Sequence, residues 1–210
     1  MQDDQAPKIV IIGCGNVAWH LARKFRELKC RIVVYNHKVS VTLEKFKRSF
    51  QAVTHVGLHK IDRDASFYFI CVPDRYISDA AKKIQPVSPR AVVAHTSGSA
   101  EIGELGTRGH GTAVFYPIQT FSKEDDVQWQ NTPIIIEADS EATAAQVTKL
   151  ATHLSKNVHV CSYEERLRLH LAAVLVNNFV NALYVEANNL LSDASGQRKF
   201  DLLLPLARQT

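Results

Sequence analysis

Residues 8–18, KIVIIGCGNVA, decide the fold of this chain. A five-residue strand, Lys8 to Ile12, apolar from Ile9 on, runs into Gly13, Gly15 and Ala18, and Val17, Leu21, Phe25 and Leu28 recur at helical spacing. The reading is strand, tight turn, helix. In that context GxGxxA is a dinucleotide-binding fingerprint. Gly13 permits the turn, Gly15 lets the backbone approach a pyrophosphate, and small Ala18 lets the helix pack on the strand. An anion held by the Gly13, Gly15, Asn16, Val17 and Ala18 backbone then meets free N–H groups and the positive helix end. A turn that binds nothing needs only one glycine.

Working outward, short apolar runs alternate with helical ones, the pattern of a parallel sheet covered on both faces. Strands are expected at Arg31 to Tyr35, Ser66 to Val72, Ala91 to Ala94, Thr112 to Phe115, Pro133 to Glu137 and, as an edge, Val158 to Cys161. Helices are expected at Thr42 to Phe50, Ile77 to Ile84 and from Ser140 to Leu154. The fold class is therefore α/β, a Rossmann-type doubly wound and mainly parallel sheet. From Tyr163 the character changes. Glu164 to Leu191 is one helical stretch without Gly or Pro, apolar on more than one side, and no strand signal follows it. The expected domains are 1–162 for the dinucleotide and 163–210 for a helical region.

The end of the second strand decides which dinucleotide binds. NAD-binding proteins place Asp or Glu there to hold the ribose hydroxyls. Here the strand runs into Asn36, His37 and Lys38, with Ser40 close behind. With no acid, and with a lysine to neutralise a 2′-phosphate, the sequence favours NADP. Val72 and Pro73 follow the third clear strand and shape a loop over the cofactor. His95, Thr96, Ser97, Gly98 and Ser99 end the next strand, where nicotinamide and substrate would meet, and make His95 and Ser97 candidates for the reacting centre. Residues 115–122, FYPIQTFS, could close over the same crevice. On the long helix His170, Val174, Asn177 and Asn181 fall on one stripe by the three-and-four rule, with Asn178 beside it. Buried asparagines need partners, which a substrate could supply.

Composition limits the alternatives. The 210 residues are 46% apolar and 22% charged, the balance of a folded globular chain. The net charge of +4 comes without a long basic run, so nucleic acid is not implied. The polar, acidic start is unlike a signal peptide, and no apolar run reads as a membrane span, which points to the cytoplasm. Cys14, Cys30, Cys71 and Cys161 have no metal-ligand spacing and are expected as thiols; no metal site is expected. No carboxylate pair and no GxSxG is visible, which removes glycosidase and serine hydrolase chemistry.

These residues also carry a likeness. Gly13 to Ala18 with Asn36, Val72-Pro73-Asp74, His95 to Ser99, Tyr116 to Phe121, and His170 with Asn177, Asn178 and Asn181 resemble a family of NADP oxidoreductase-like proteins. Its members join a Rossmann domain to a helical domain of unknown function. More distantly the chain is similar to pyrroline-5-carboxylate reductase, the deazaflavin-dependent NADP reductases and the 6-phosphogluconate dehydrogenase superfamily. The resemblance implies NADP binding and a homodimer through the helical region. The hydroxyacid dehydrogenases of the superfamily carry Lys four residues before Asn, whereas Asn177 and Asn181 here follow Ala173 and Asn177. No general-acid lysine carries over. The family's helical domain continues well beyond Thr210, so the resemblance also implies that the helical part here is incomplete.

The expected function is NADP-dependent hydride transfer to or from a small carbonyl, imine or alcohol. His95 or His170 exchanges the proton because imidazole titrates near neutrality, and Ser97 and Asn177 orient the substrate. The alternative is a non-catalytic NADP-binding regulator or scaffold.

Overall fold

The apolar runs pair edge to edge in the computed structural model, which describes residues 7–106, 109–191 and 200–207. In chain order the elements are β1 (Lys8–Ile12), α1 (Asn16–Glu27), β2 (Arg31–Asn36), α2 (Val41–Phe50), β3 (Val53–Val56), β4 (Phe67–Ile70), α3 (Ile77–Ala81), β5 (Val92–His95), β6 (Gly111–Pro117), β7 (Ile134–Ala138), α4 (Glu141–Thr152) and β8 (Val158–Val160). The eight strands form one sheet in the order β3-β2-β1-β4-β5-β6-β7-β8. Every ladder is parallel except β6 with β7. This is the expected doubly wound, mainly parallel sheet.

Side chains of adjacent residues leave β1 on opposite faces and enter different cores. Ile9 and Ile11 pack with Leu21, Phe25, Phe46, Phe69 and Phe115 on the side of α1 and α2. Val10 and Ile12 pack with Tyr35, Tyr68, Ile77 and Ile84 on the other. Chain order reverses between β1 and β4, so the loops after these two strands border the crevice where doubly wound sheets hold their ligands.

One strand departs from the sequence reading. β3 extends the sheet at its outer edge, pairing Val33 with Val53 and Asn36 with Val56. Its Val-Thr-His-Val is largely exposed, so it carries no apolar run.

The chain divides into two compact units, Met1–Leu167 and Arg168–Thr210. The helix α5 (Tyr163–Ala173) begins in the first and ends in the second. The second unit continues through a π-helical turn, Val174–Phe179, into α6 (Val180–Leu191), and includes α7 (Leu204–Ala207). Tyr184 sits against Phe200, ring centroids 5.6 Å apart, and its hydroxyl donates to the Ala207 carbonyl at 3.4 Å. The expected stripe of His170, Val174, Asn177 and Asn181 does not survive the π turn. An i→i+5 bond closes around one residue more than an α turn, so every residue after Val174 is rotated out of three-and-four register. Tyr163–Leu191 is long and apolar enough to cross a membrane by length and composition alone, with mean hydropathy 1.2, which the sequence reading did not anticipate.

Candidate functional site

The glycine turn is built by backbone geometry that only its residue types allow. Gly13 has φ +105°, and its N–H donates to the Tyr35 carbonyl at 2.8 Å. A Cβ at Gly13 would stand 2.2 Å from the Cys71 carbonyl oxygen, where β4 ends. Gly15 is different: its φ is an ordinary −75°, and a Cβ there would meet nothing within 4 Å. It opens α1 without a side-chain cap, and the first turn of α1 holds no acidic residue. Ala18 is fully buried against the sheet, with Val17 packed against the same core. An uncapped helix start, no carboxylate and open space at Gly15 fit a pyrophosphate.

Asn16 and His20 tie α1 to the loop after β6. Asn16 Nδ2 donates to the Phe121 carbonyl at 2.7 Å, and buried His20 places Nε2 2.6 Å from the Ser122 carbonyl, its ring against Phe121. The FYPIQTFS segment is thus held beside the glycine turn. His20 was not visible as a site residue, because its partner lies 102 residues away.

At the end of β2 the structure reassigns two residues. Asn36, expected at the cofactor, and Ser40 beside it hydrogen-bond within their own loop. Asn36 Nδ2 donates to the Lys38 carbonyl at 2.8 Å and lies 3.5 Å from Ser40 Oγ, and Ser40 accepts the Leu43 N–H at 3.1 Å as the cap of α2. His37 and Lys38 project from the loop, exposed. Pro73 is exposed after β4, next to half-buried Val72.

The loop after β5 is the most densely bonded part of the crevice. His95 is fully buried at the strand end. Its Nδ1 accepts the Ser97 N–H at 3.2 Å, so the neutral ring carries its proton on the buried Nε2. Burial, with the Arg166 charge adding to it, lowers the His95 pKa to about 4; the Glu101 backbone and Asp74 oppose this without outweighing it. The expectation that His95 exchanges a proton near neutral pH does not fit these surroundings. It is a fixed, neutral group. Ser97 Oγ donates to Asp74 Oδ2 at 2.9 Å and accepts the N–H groups of Ser99 and Ala100 at 3.1 and 3.0 Å. Ser99 Oγ donates to the same Asp74 oxygen at 2.8 Å. Asp74 therefore joins the loops after β4 and β5.

Glu137 and Arg166 were missed altogether. Glu137 ends the otherwise apolar run PIIIE, and an acid at a buried strand position demands a cation. That was the available signal. Arg166 Nε donates to Glu137 Oε2 at 2.9 Å, within a buried ion pair.

His170 and Asn177 lie in the second unit. His170 is half-buried on α5, and Asn177 is exposed in the π turn, its Nδ2 donating to Asn178 Oδ1 at 3.1 Å. Surface clefts of about 250 Å³ beside α1 and about 480 Å³ near Arg90 and Gly111 are not lined by any residue of the glycine turn. Among the described residues no group of three His, Cys, Asp or Glu side chains could hold a metal ion.

Comparison with known proteins bears on this geometry. Residues 8–98 match a family model described as NADP oxidoreductase, coenzyme F420-dependent, and residues 132–210 match a domain of unknown function, DUF2520. A crystal structure from Bacteroides fragilis, named as a candidate NADP oxidoreductase, is 32% identical over 98% of this chain and 79% of its own, with a TM-score of 0.88. The chain belongs to this NADP oxidoreductase family. A Thermotoga maritima protein shares the fold at 20% identity and a TM-score of 0.71, over 96% of this chain and 75% of its own. So does the prephenate dehydrogenase of A. aeolicus, solved with hydroxyphenyl propionate and NAD+, at 17% identity and 0.69, over 93% and 73%. No curated protein matches the sequence of this family member.

Proposed function

We propose that the chain is a cytoplasmic, NADP-dependent oxidoreductase, working as a homodimer on a small carbonyl, imine or alcohol. The observation that carries the reading is the uncapped, acid-free start of α1 at the β1/β4 reversal, together with a β2 end that offers exposed His37 and Lys38 in place of an acid. The backbone of Gly13 to Ala18 would hold the pyrophosphate, His37 and Lys38 the 2′-phosphate, and Val72 and Pro73 the nicotinamide side. The cofactor, when bound, supplies or accepts a hydride. Neutral His95 offers a fixed Nε2–H donor, and Ser97 and Asp74 order the loop around it. Proton exchange with the substrate falls to a group other than His95.

One observation favours the alternative of binding without catalysis: His95, the imidazole at the end of β5, is buried and held neutral. Fluorescence titration with NADPH and NADH tests the binding, with NADPH expected to bind at least about tenfold more tightly, the worth of one charge-assisted contact. NADPH consumption across ketoacids, ketones and cyclic imines then separates enzyme from regulator. Equal affinity for the two cofactors would remove the NADP assignment.

A further inference from the structure

The loop after β5 turns three backbone carbonyls towards one point, an arrangement that dipole repulsion opposes unless a multivalent donor stands there. Arg166 is that donor. Its Nη1 donates to the carbonyls of Gly98 at 2.8 Å and Ser97 at 3.3 Å, and its Nη2 to Ala100 at 2.8 Å. The same Nη2 lies 2.8 Å from Glu137 Oε2, which also accepts from Nε. Tyr163 covers the guanidinium, 5.2 Å from ring centroid to Cζ. The side chain is entirely buried. The loop amides point elsewhere: Ser97 N–H to His95, Ser99 and Ala100 N–H to Ser97 Oγ.

We propose that Arg166 is a positioning residue for the nicotinamide side of the site, fixing the His95 to Ala100 loop by holding its carbonyls in a planar fork braced by Glu137. The proposal rests on the dinucleotide reading of the crevice. A glue between α5 and the sheet would need only the Glu137 pair; the three carbonyl bonds are surplus to that task and all fall within four residues of the loop. Lysine could supply the charge but not the fork, because its ammonium is a point donor on a flexible stem.

The test separates the two halves of the cofactor in the full chain. Adenosine 2′,5′-bisphosphate probes the adenosine half, and NADPH affinity with its nicotinamide emission probes the other. The double variant Arg166→Met/Glu137→Leu removes the buried pair as a unit, a replacement that cores often tolerate. It is expected to fold with a lowered melting transition, because three loop carbonyls lose their donor, and to bind the bisphosphate within about twofold of the unmodified chain, while NADPH affinity falls about tenfold or more and the emission change on binding is lost. Arg166→Lys, which keeps the charge, should shift the NADPH signals in the same direction and serves as the test if the double variant does not fold. A folded double variant, or Arg166→Lys, with unchanged NADPH affinity and emission overturns the proposal. Failure of the unmodified chain to bind NADPH overturns the dinucleotide reading itself, and the proposal with it.

Discussion

Gly13 and Gly15 stand two residues apart in one motif, yet the structure asks different things of them. At Gly13 the positive φ and the 2.2 Å approach to the Cys71 carbonyl make any side chain a backbone clash. Gly13→Ala is therefore expected to cost about 3 kcal/mol or more of folding stability, measured by denaturant titration. At Gly15 an added Cβ meets no atom within 4 Å, so Gly15→Val should cost only about 1 kcal/mol, while abolishing dinucleotide binding. Normal binding by that variant would show that the open space at Gly15 has no role. His95 predicts a pH dependence. The ordinary value near 6.5 drops to about 4 in the folded chain, so above pH 6.5 both states are neutral and nothing is lost. Between 6.5 and 4 the unfolded chain takes up a proton that the buried ring refuses, and stability falls by about 3 kcal/mol on acidification. His95→Gln should flatten that limb of the stability profile. A profile unchanged by the substitution would show that His95 is protonated normally. The glycines were legible because turn geometry is local; Arg166 was not, because its reason for burial is Glu137, 29 residues earlier.

Among the elements, the β2–α2 connection is where the proposed preference for NADP is tested. Asn36 and Ser40 spend their side chains on the loop and the cap of α2, which leaves Lys38 as the cation free to meet a phosphate. Lys38→Glu replaces attraction with repulsion, so the NADPH preference over NADH should shrink by about tenfold or more with NADH affinity little changed. A variant that keeps the preference would place the phosphate elsewhere. The sheet was read from its buried strands, since β1 from Ile9 on and all of β4 are apolar. β3 escaped because an exposed edge strand of four residues has no burial pattern to betray it. The π turn escaped for another reason: its residues are as apolar as those of the α-helix around it, and composition does not record hydrogen-bond register.

At the scale of the molecule the second unit poses the open question. Leu171, Leu175, Phe179 and Leu183 are more than half exposed, Phe179 at 59% and Leu183 at 67%. Burying side chains of this size is worth roughly 1.5 to 3 kcal/mol each, so leaving four in water forgoes on the order of 10 kcal/mol. A second copy of the chain is the proposed cover, because soluble homo-oligomers are most often two-fold dimers. Light scattering at micromolar concentration should give twice the chain mass, and Phe179→Asp should shift it towards the monomer. A monodisperse monomer for the unmodified chain would refute the proposal. The apolar character of this helix was legible in the sequence, while the residues that meet across an interface depend on geometry that composition does not carry.

The turn at Val174–Phe179 has an evolutionary consequence. A wide turn accommodates one residue more than its neighbours, so relatives with a regular helix here should align with a single-residue gap inside this segment. Deleting one residue there would restore α geometry, and because the wide turn already absorbs that residue, everything from Val180 onward would keep its direction relative to Arg168–Ala173. A one-codon deletion in this turn is therefore expected to leave Asn181 and Leu183 on their present faces, whereas the same deletion inside the regular helix of α6 would turn every residue beyond it by about 100°.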